Sequence, residues 1–213
     1  TPTRELAMQI AESFGDYGRH TGMRHAVIYG GVSQKPQEQA LLKGVDILVA
    51  TPGRLLDLMG QKLVNLSTVE IFVLDEADRM LDMGFIVDIR RIIEKLPAKR
   101  QTLMFSATMP SEIVRLSATL LRDPVRVQVA AASAPADDVD HRLYYVEKSS
   151  KADLLKTLLV DDEIKNALVF TRTRHGADRV ERTLSRAGVR VEAIHGDKSQ
   201  GASDRALSAF KKG

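Results

Sequence analysis

The feature that most constrains the fold of this chain is an alternation of short apolar runs with segments of helical periodicity. The apolar runs are rich in Val, Ile and Leu and show little alternation between apolar and polar residues. Such runs are typical of strands that are buried on both faces of a parallel sheet. The candidate strands are residues 25–30, 46–50, 70–74, 101–105, 125–129, 142–146, 166–170 and 190–194.

Between the candidate strands, apolar residues recur at the spacing that places side chains on one face of a helix. These series are Leu6, Ile10 and Phe14; Ile89 and Ile93, with Pro97 marking the end; and Ala177, Val180 and Leu184. Strands that alternate with helices along the whole chain predict an α/β fold with parallel sheets.

One stretch, residues 130–138, has neither periodicity, and it consists of small and polar residues with one proline. We interpret it as part of a linker, residues 131–140, between two α/β domains at 1–130 and 141–213. A long surface loop within one domain is the alternative. The clean restart of strand–helix alternation after the stretch favours two domains.

The composition excludes several classes of protein. The 213 residues include no cysteine, which rules out disulfide scaffolds, cysteine nucleophiles and thiolate metal sites. The five histidines show no metal-ligand spacing. No run approaches the roughly 18 apolar residues of a membrane-spanning helix, and no secretory leader is recognisable. We therefore expect a cytoplasmic protein.

The charge is unevenly distributed along the chain. The formal net charge is +3, yet residues 164–213 contain eleven Lys and Arg residues against five acidic residues. A basic region of this kind is compatible with nucleic-acid binding, and the alternative is a solvated helix face.

Two carboxylates directly follow the apolar run 71–74. In open parallel sheets, ligands bind at the carboxyl ends of the strands. Asp75 can hold Mg²⁺ against the phosphates of a nucleotide, and Glu76 can orient or deprotonate an attacking water. This is the arrangement called Walker B; the alternative is a solvated acidic turn.

The pattern Thr-Pro-x-Arg-x-Leu occurs twice, at residues 1–6 and 51–56. Proline favours the first turn of a helix, the helix N-terminus attracts anions, and arginine adds a bidentate phosphate donor. Two such sites on one sheet edge would hold successive phosphates of a nucleic-acid backbone. The alternative is that the pattern simply begins two helices well.

Further polar or glycine-rich turns follow other candidate strands, and each has a structural alternative. Gly30-Gly31 permits close approach of another backbone, or forms a tight turn. Ser106 and Thr108 can hydrogen-bond the carboxylates of the acidic turn, or cap the helix predicted near 109–121. The basic turn at 171–174 and His195-Gly196-Asp197 are candidate phosphate contacts, or exposed turns.

Taken together and in order, these motifs resemble those of DEAD-box ATP-dependent RNA helicases. The run from Arg79 to Phe85 strengthens the resemblance, which is nearest in character to the bacterial RhlE-like branch. The motifs are Pro-Thr-Arg-Glu-Leu-Ala at 2–7, Gly-Gly at 30–31, Thr-Pro-Gly-Arg at 51–54, Asp-Glu-Ala-Asp at 75–78, Ser-Ala-Thr at 106–108, Leu-Val-Phe-x-x-Thr at 168–173 and His-Gly-Asp at 195–197.

The resemblance implies two RecA-like parallel-sheet domains, both truncated, that close on ATP and on single-stranded or duplex RNA. It implies local unwinding or remodelling of RNA duplexes coupled to ATP hydrolysis. Asp75 and Glu76 would serve Mg²⁺, directly or through water, and the hydrolytic water. Asp78, Ser106 and Thr108 would couple hydrolysis to domain closure. The residues that the resemblance assigns to RNA binding are Pro2, Thr3, Arg4, Gly30, Gly31, Thr51, Pro52, Gly53, Arg54, Thr173, Arg174 and Gln200.

The chain also departs from the family pattern. It contains no Gly-Lys-Ser or Gly-Lys-Thr, so the P-loop is absent from these residues, and the family's arginine finger is absent as well. The pattern Gln-x-x-Arg becomes Gln200-Gly201-Ala202-Ser203, which removes a guanidinium. Because the sequence begins at Thr1 and not at Met, we expect a fragment of a longer helicase. Because the P-loop and the arginine finger are missing from it, we expect this fragment alone to be inactive as an ATPase.

Two other functions remain open at this point. A non-enzymatic RNA-binding module would bind RNA without any effect of ATP, although the presence of Asp75 and Glu76 argues against it. A DNA-directed helicase would prefer DNA over a matched RNA strand.

Overall fold

Parallel pairing of short strands organises the amino-terminal part of the chain in this computed structural model. Strand β1, His25–Ile28, pairs with β2, Ile47–Ala50, so that His25 lies opposite Ile47. Strand β3, Ile71–Leu74, pairs with β4, Gln101–Met104, in the same parallel sense. Each strand lies within a predicted apolar run, and the α/β fold with parallel sheets is confirmed.

The structure describes residues 1–129, 139–160 and 164–212. The chain divides into two compact units, Thr1–Val129 and Ala130–Gly213, called here the first and the second unit. Most of the predicted linker, 131–138, lies outside the described residues, and its last two positions have no regular secondary structure.

Helices connect the strands of the first unit, as the periodicity predicts. Ala7 and Ala11 are the buried residues of the first helix, and Ile89 and Ile92 those of the fifth. The helices described in this unit are α1 (Arg4–Gly18), α2 (Lys35–Leu42), α3 (Pro52–Gly60), α4 (Ala77–Asp82), α5 (Ile86–Ile93) and α6 (Ser111–Leu120).

Two clusters of buried apolar side chains form the core of the first unit. One cluster consists of Leu74, Ala77, Met80, Ile89, Ile113, Leu116 and Leu120. The other consists of Ile28, Leu55, Leu58, Leu66, Ile92 and Leu96. Helix α5 contributes to both clusters, and burial of each large aliphatic side chain stabilises the fold by about 1.5–3 kcal/mol. The core therefore holds the carboxyl ends of β1 to β4 in fixed positions.

The described part of the second unit is helical. A short 3₁₀ turn at Lys148–Ser150 leads into α7, Lys151–Leu159. Helix α8, Arg174–Arg186, contains the predicted apolar series and buries Leu184, and α9 is Gln200–Lys212.

The strands predicted at 125–129, 142–146, 166–170 and 190–194 are wrong for this structure, which assigns no strand to them in its described part. An extended segment forms a strand only when a neighbour satisfies its backbone N–H and C=O groups. These segments have no ladder partner there, and Tyr145 and Phe170 are 93% and 92% exposed. The parallel sheet predicted for 141–213 is therefore not formed among the described residues.

Among the residues that the structure describes, no helix is both long and apolar enough to cross a lipid bilayer.

Candidate functional site

The two carboxylates after β3 lie in a tight turn that leads into α4. Glu76 has φ 51° and ψ 51°, a left-handed conformation that costs a residue with a side chain roughly 1–3 kcal/mol. The Asp75 carboxylate accepts a hydrogen bond from the Glu76 N–H at 2.9 Å, and Arg79 pairs with the Glu76 carboxylate at 3.2 Å. The turn thus holds both carboxylates at the carboxyl end of β3.

The loop after β4 is tied to the start of α4 by a closed set of hydrogen bonds. One carboxylate oxygen of Asp78 accepts from both the N–H and the hydroxyl of Thr108, each at 2.8 Å. The Ser106 hydroxyl accepts from the Asp78 N–H at 3.1 Å and donates to the Thr108 carbonyl at 2.7 Å. The backbone N–H of Ala77 also donates to the Phe105 carbonyl at 3.0 Å.

These bonds decide between the two interpretations of the Ser-Ala-Thr motif. Helix α6 begins at Ser111, its N-cap is Pro110, and no side chain caps it. The capping interpretation is therefore wrong. The two hydroxyls contact the acidic motif, although at Asp78 and not at Asp75.

The pKa of Asp78 lies below its usual value of 3.8. Partial burial acts to raise the pKa of this carboxyl, but the hydrogen bonds from the Thr108 hydroxyl and N–H outweigh it. Asp78 is therefore ionised at neutral pH and acts as a hydrogen-bond acceptor.

The acidic turn fits a shared magnesium site and not a complete metal cage. Among the described residues, no group of three or more His, Asp or Glu side chains is placed to hold a metal ion. Mg²⁺ is commonly bound by one or two carboxylates together with the phosphates of a substrate. Asp75 and Glu76 supply that kind of oxygen ligand.

A cleft of about 500 Å³ in the first unit collects most of the residues predicted to bind RNA there. It brings the two copies of the Thr-Pro-x-Arg-x-Leu pattern and the end of β1 to one surface. Its lining residues are Pro2, Thr3, Arg4, Glu5, Gly30, Thr51, Gly53, Arg54, Asp57, Met83 and Phe85.

At the first wall of the cleft, Thr3 caps helix α1 and Arg4 is the first helical residue. The Thr3 hydroxyl accepts from the Leu6 N–H at 3.3 Å. The Arg4 guanidinium lies against Gly31, where a Cβ atom would come within 2.6 Å of Nη1. Gly31 also has a φ of +79°, a backbone conformation that favours glycine, and a Cβ atom there would displace the flexible end of Arg4.

At the second wall, the side chain of Arg54 is only 11% exposed. Its Nη2 donates to the Val32 carbonyl at 3.2 Å, and its Nε lies 3.7 Å from the Asp57 carboxylate. Its Nη1 is buried and has no hydrogen-bond partner among the described residues. A buried cationic donor without a partner is costly, so this atom marks a place where an anion would be stabilised.

The two copies of the pattern are not equivalent in helical register. Helix α1 begins at Arg4, the fourth position of the pattern, whereas α3 begins at Pro52, the second position. Thr51 makes no capping hydrogen bond, unlike Thr3. The expectation that both prolines begin a helix therefore holds only for the second copy.

In the second unit, Thr173 and Arg174 repeat the arrangement at the start of α1. The Thr173 hydroxyl caps α8 by accepting from the Gly176 N–H at 3.0 Å. The Arg174 guanidinium lies against Gly196 and donates to the Asp197 carboxylate at 2.5 Å. Gln200, the remaining predicted RNA contact, is the first residue of α9.

Charged side chains form a network around the turn at residues 195–197. Of its members, the sequence singled out His195 and Asp197 but not Asp178 or Lys198. His195 Nε2 lies 2.9 Å from the Asp178 carboxylate, which Lys198 also contacts at 3.3 Å. The hydrogen bond from His195, and then that from Lys198, holds the pKa of Asp178 below its usual range despite partial desolvation. The Asp197 N–H donates to His195 Nδ1 at 3.3 Å, which connects the network to the partner of Arg174.

Sequence reasoning missed several residues of the cleft. Asp57, Met83 and Phe85 line it, and Gln37 supports the loop beside it. Asp57 lies three residues after Arg54 on α3, a spacing that indicates an ion pair. Gln37 gives no comparable signal, because its contacts depend on how the chain folds back.

Comparison with known proteins gives the same family that the motifs resemble. A family model for the DEAD/DEAH box helicases matches residues 1–116, and one for the helicase conserved C-terminal domain matches residues 150–213. The chain is similar to the DEAD-box ATP-dependent RNA helicase RhpA of Helicobacter pylori (39% identity), to CshA of Streptococcus pneumoniae (42%) and to the ATP-dependent RNA helicase RhlB of Xanthomonas axonopodis (42%). All of this chain is covered, but only 43%, 40% and 38% of these relatives.

Solved structures give the same result. The chain matches a DEAD box protein from Methanococcus jannaschii with a TM-score of 0.59, and a hypothetical ATP-dependent RNA helicase from Sulfolobus tokodaii with a TM-score of 0.60. Both are 35% identical to it, and the match covers the whole chain and 57% and 61% of those structures. Since the first family model alone covers more than half of its residues, the chain belongs to the DEAD/DEAH box helicase family.

Proposed function

We propose that this chain is the part of an ATP-dependent RNA helicase that contacts RNA and couples ATP hydrolysis to local unwinding or remodelling of RNA duplexes. The observation that carries the proposal is the cleft of the first unit. It contains two arginines, two threonines and a buried Arg54 Nη1 that has no partner in the described part of the chain.

The chemistry of the cleft fits a nucleic-acid backbone. Guanidinium groups bind phosphate through paired N–H donors, and the beginnings of α1 and α3 add backbone N–H groups and a favourable dipole. In this proposal Arg4, Arg54, Thr3 and Thr51 bind successive phosphates. The protein backbone that lies against the RNA strand is shaped by the prolines and glycines of the same motifs, Pro2, Pro52, Gly30, Gly31 and Gly53. Such contacts position the nucleic acid without reading its bases.

The acidic turn supplies the hydrolytic side of the proposed function. Mg²⁺ bound with the nucleotide would neutralise phosphate charge. Asp75 would provide an oxygen ligand for it, and Glu76 would orient the attacking water or accept its proton. The hydrogen bonds of Asp78 with Ser106 and Thr108 connect the acidic turn to the loop after β4. In this proposal, that connection couples ATP hydrolysis to domain closure.

The second unit contributes Thr173, Arg174 and Gln200 to RNA binding in this proposal. We also propose that residues 1–130 and 141–213 are two domains joined by a linker at 131–140. We infer membership of the RhlE-like branch from the motif run alone, and a cytoplasmic location because RNA and ATP are the ligands.

A pair of arginine variants tests RNA binding by this chain. Replacing Arg54 by Gln should weaken binding of a single-stranded RNA about tenfold, the equivalent of one charge-assisted hydrogen bond. It should also reduce the slope of log affinity against log salt by about one. Arg19→Gln is the matched control, because Arg19 follows the last residue of α1 and its side chain is 63% exposed. Equal effects of the two variants would contradict the assignment of the cleft.

Two further measurements separate the alternative functions. In a version of the protein that carries a P-loop, Glu76→Gln should abolish RNA-stimulated ATP hydrolysis and leave RNA binding intact. A non-enzymatic RNA-binding module would show no hydrolysis in either form. A DNA-directed helicase would bind a DNA strand more tightly than the RNA of matched sequence.

A further inference from the structure

Gln37 is buried in the first turn of α2, on a helix whose other polar residues are at least partly exposed. Its side-chain carbonyl accepts from the Tyr29 N–H at 3.1 Å, and its amide nitrogen donates back to the Tyr29 carbonyl at 3.1 Å. The same nitrogen donates to the Ser33 carbonyl at 3.3 Å. A single amide thus bonds the backbone at both ends of the segment 30–32.

These bonds make Gln37 unlike the neighbouring glutamines. Its pair of bonds with Tyr29 imitates a strand neighbour at the point where β1 ends, and all of its amide hydrogens are used. Gln34 bonds the side chains of Glu38 and Gln61, and Gln39 is exposed. Only Gln37 among them holds backbone.

The segment that Gln37 holds carries one side of the cleft. Its Val32 carbonyl accepts from Arg54, and its Gly31 provides the surface against which Arg4 lies. Two adjacent glycines give this segment more conformational freedom than any other pair of residues would. Without a bond at each end, nothing in the local sequence would keep the Val32 carbonyl and Gly31 in place.

We propose that Gln37 is a positioning residue for RNA binding: its amide holds segment 30–32 so that Arg54 and Arg4 are presented to the RNA backbone. The inference rests on the proposed function of the cleft, and it adds a residue that does not line the cleft. Gln37 acts through the two arginines and does not contact the RNA.

The test compares two substitutions on the same helix in the 213-residue chain. Gln37→Met keeps the side-chain length but removes every bond to Tyr29 and Ser33, whereas Gln39→Met makes the same change at an exposed position. We expect Gln37→Met to weaken binding of a single-stranded RNA by about tenfold, like Arg54→Gln, and Gln39→Met to leave it within about twofold. Binding is measured well below the melting temperature of each variant.

A double variant distinguishes positioning from a general loss of stability. If Gln37 acts through Arg54 and Arg4, the loss of RNA affinity in the Gln37→Met/Arg54→Gln chain should be clearly smaller than the sum of the two single losses, because the Arg54 part of the effect is already absent. Additive losses, or unchanged binding in Gln37→Met with only a lower melting temperature, would overturn the inference.

Gln37→Glu adds a conservative variant with its own pH signature. A protonated glutamic acid can accept from the Tyr29 N–H and donate to the Tyr29 carbonyl, whereas a carboxylate has no donor. Relative to the unsubstituted chain, its RNA binding should recover as the pH is lowered from 8 towards 5, and Gln37→Met should show no recovery. The absence of such a difference would count against the proposed bonds.

An NMR measurement without RNA keeps this inference separate from the proposed function. The Arg54 side-chain Nε–H signal should move in Gln37→Met and stay unchanged in Gln39→Met. If that signal moves while Arg54→Gln leaves RNA affinity unaltered, the proposed function of the cleft fails and the positioning of Arg54 by Gln37 stands. If the signal does not move, the positioning role itself is wrong.

Discussion

At the residue scale, Gly31 leaves no room for a Cβ atom between its backbone and the Arg4 guanidinium. Its φ is +79°, and a Cβ atom there would meet the Arg4 guanidinium at 2.6 Å. Gly22 has a similar φ of +71°, but a Cβ atom there would meet nothing within 4 Å. Substitutions at the two glycines therefore distinguish the effect of backbone strain, which both share, from the effect of the contact with Arg4, which only Gly31 has.

Replacing Gly31 by Ala should reduce both stability and RNA binding. Backbone strain alone costs about 1–2 kcal/mol in either Gly31→Ala or Gly22→Ala, measurable by urea denaturation. In Gly31→Ala the flexible end of Arg4 is also displaced, so RNA affinity should fall in that variant only. Equal RNA affinity in the two variants would show that Arg4 does not contribute to binding.

At the scale of elements, Asp78 joins helix α4 to the loop after β4. Its carboxylate accepts two hydrogen bonds from Thr108, a residue 30 positions away in the sequence. These bonds hold the acidic turn after β3 beside the Ser-Ala-Thr loop, at the ends of two neighbouring strands.

The stabilisation by Asp78 should depend on pH. Because the folded-state pKa lies below the usual value of 3.8, the stabilisation is fully present above that value and is lost as the pH falls through the folded-state pKa. The melting temperature of Asp78→Asn should therefore be lower than that of the unsubstituted chain at pH 7, and the difference should shrink below pH 3.8. Asp82→Asn, which removes a carboxylate from the exposed end of α4, is the control variant.

At the scale of the whole molecule, the chain contains the proposed RNA contacts and the acidic turn but no P-loop motif. No Gly-Lys-Ser or Gly-Lys-Thr occurs in its 213 residues. Backbone N–H groups and a lysine normally cradle the nucleotide phosphates, and without them Asp75 has little to share a magnesium ion with.

We therefore expect the 213-residue chain to bind RNA without hydrolysing ATP. Its RNA affinity should fall steeply with salt and should not respond to ATP, because phosphate contacts dominate the binding. A coupled phosphate-release assay with saturating RNA tests this expectation. Measurable RNA-stimulated hydrolysis would contradict it.

Much of the first unit could be predicted because its signals are local. The apolar runs that became β1 to β4, the helical series at Leu6 and the turn at Asp75 all depend on residues close together in the chain. The strands predicted in the second unit did not form in its described part, because a strand also needs a partner that composition does not supply. The predicted residues that line the cleft belong to motifs of neighbouring residues, whereas the contacts of Gln37 depend on how the chain folds back.

Local sequence was sufficient for the positions of β1 to β4 and for the motifs by which the chain resembles its family, but not for strands in the second unit. Three contacts depend on the tertiary structure alone. Arg54 donates to the Val32 carbonyl, and the Asp78 carboxylate accepts from Thr108. Gln37 bonds the backbone at both ends of segment 30–32. The first two contacts join residues 22 and 30 positions apart, and no helical or strand period connects such positions. They exist because parallel strands bring their carboxyl ends to one edge, where the loops that follow them meet.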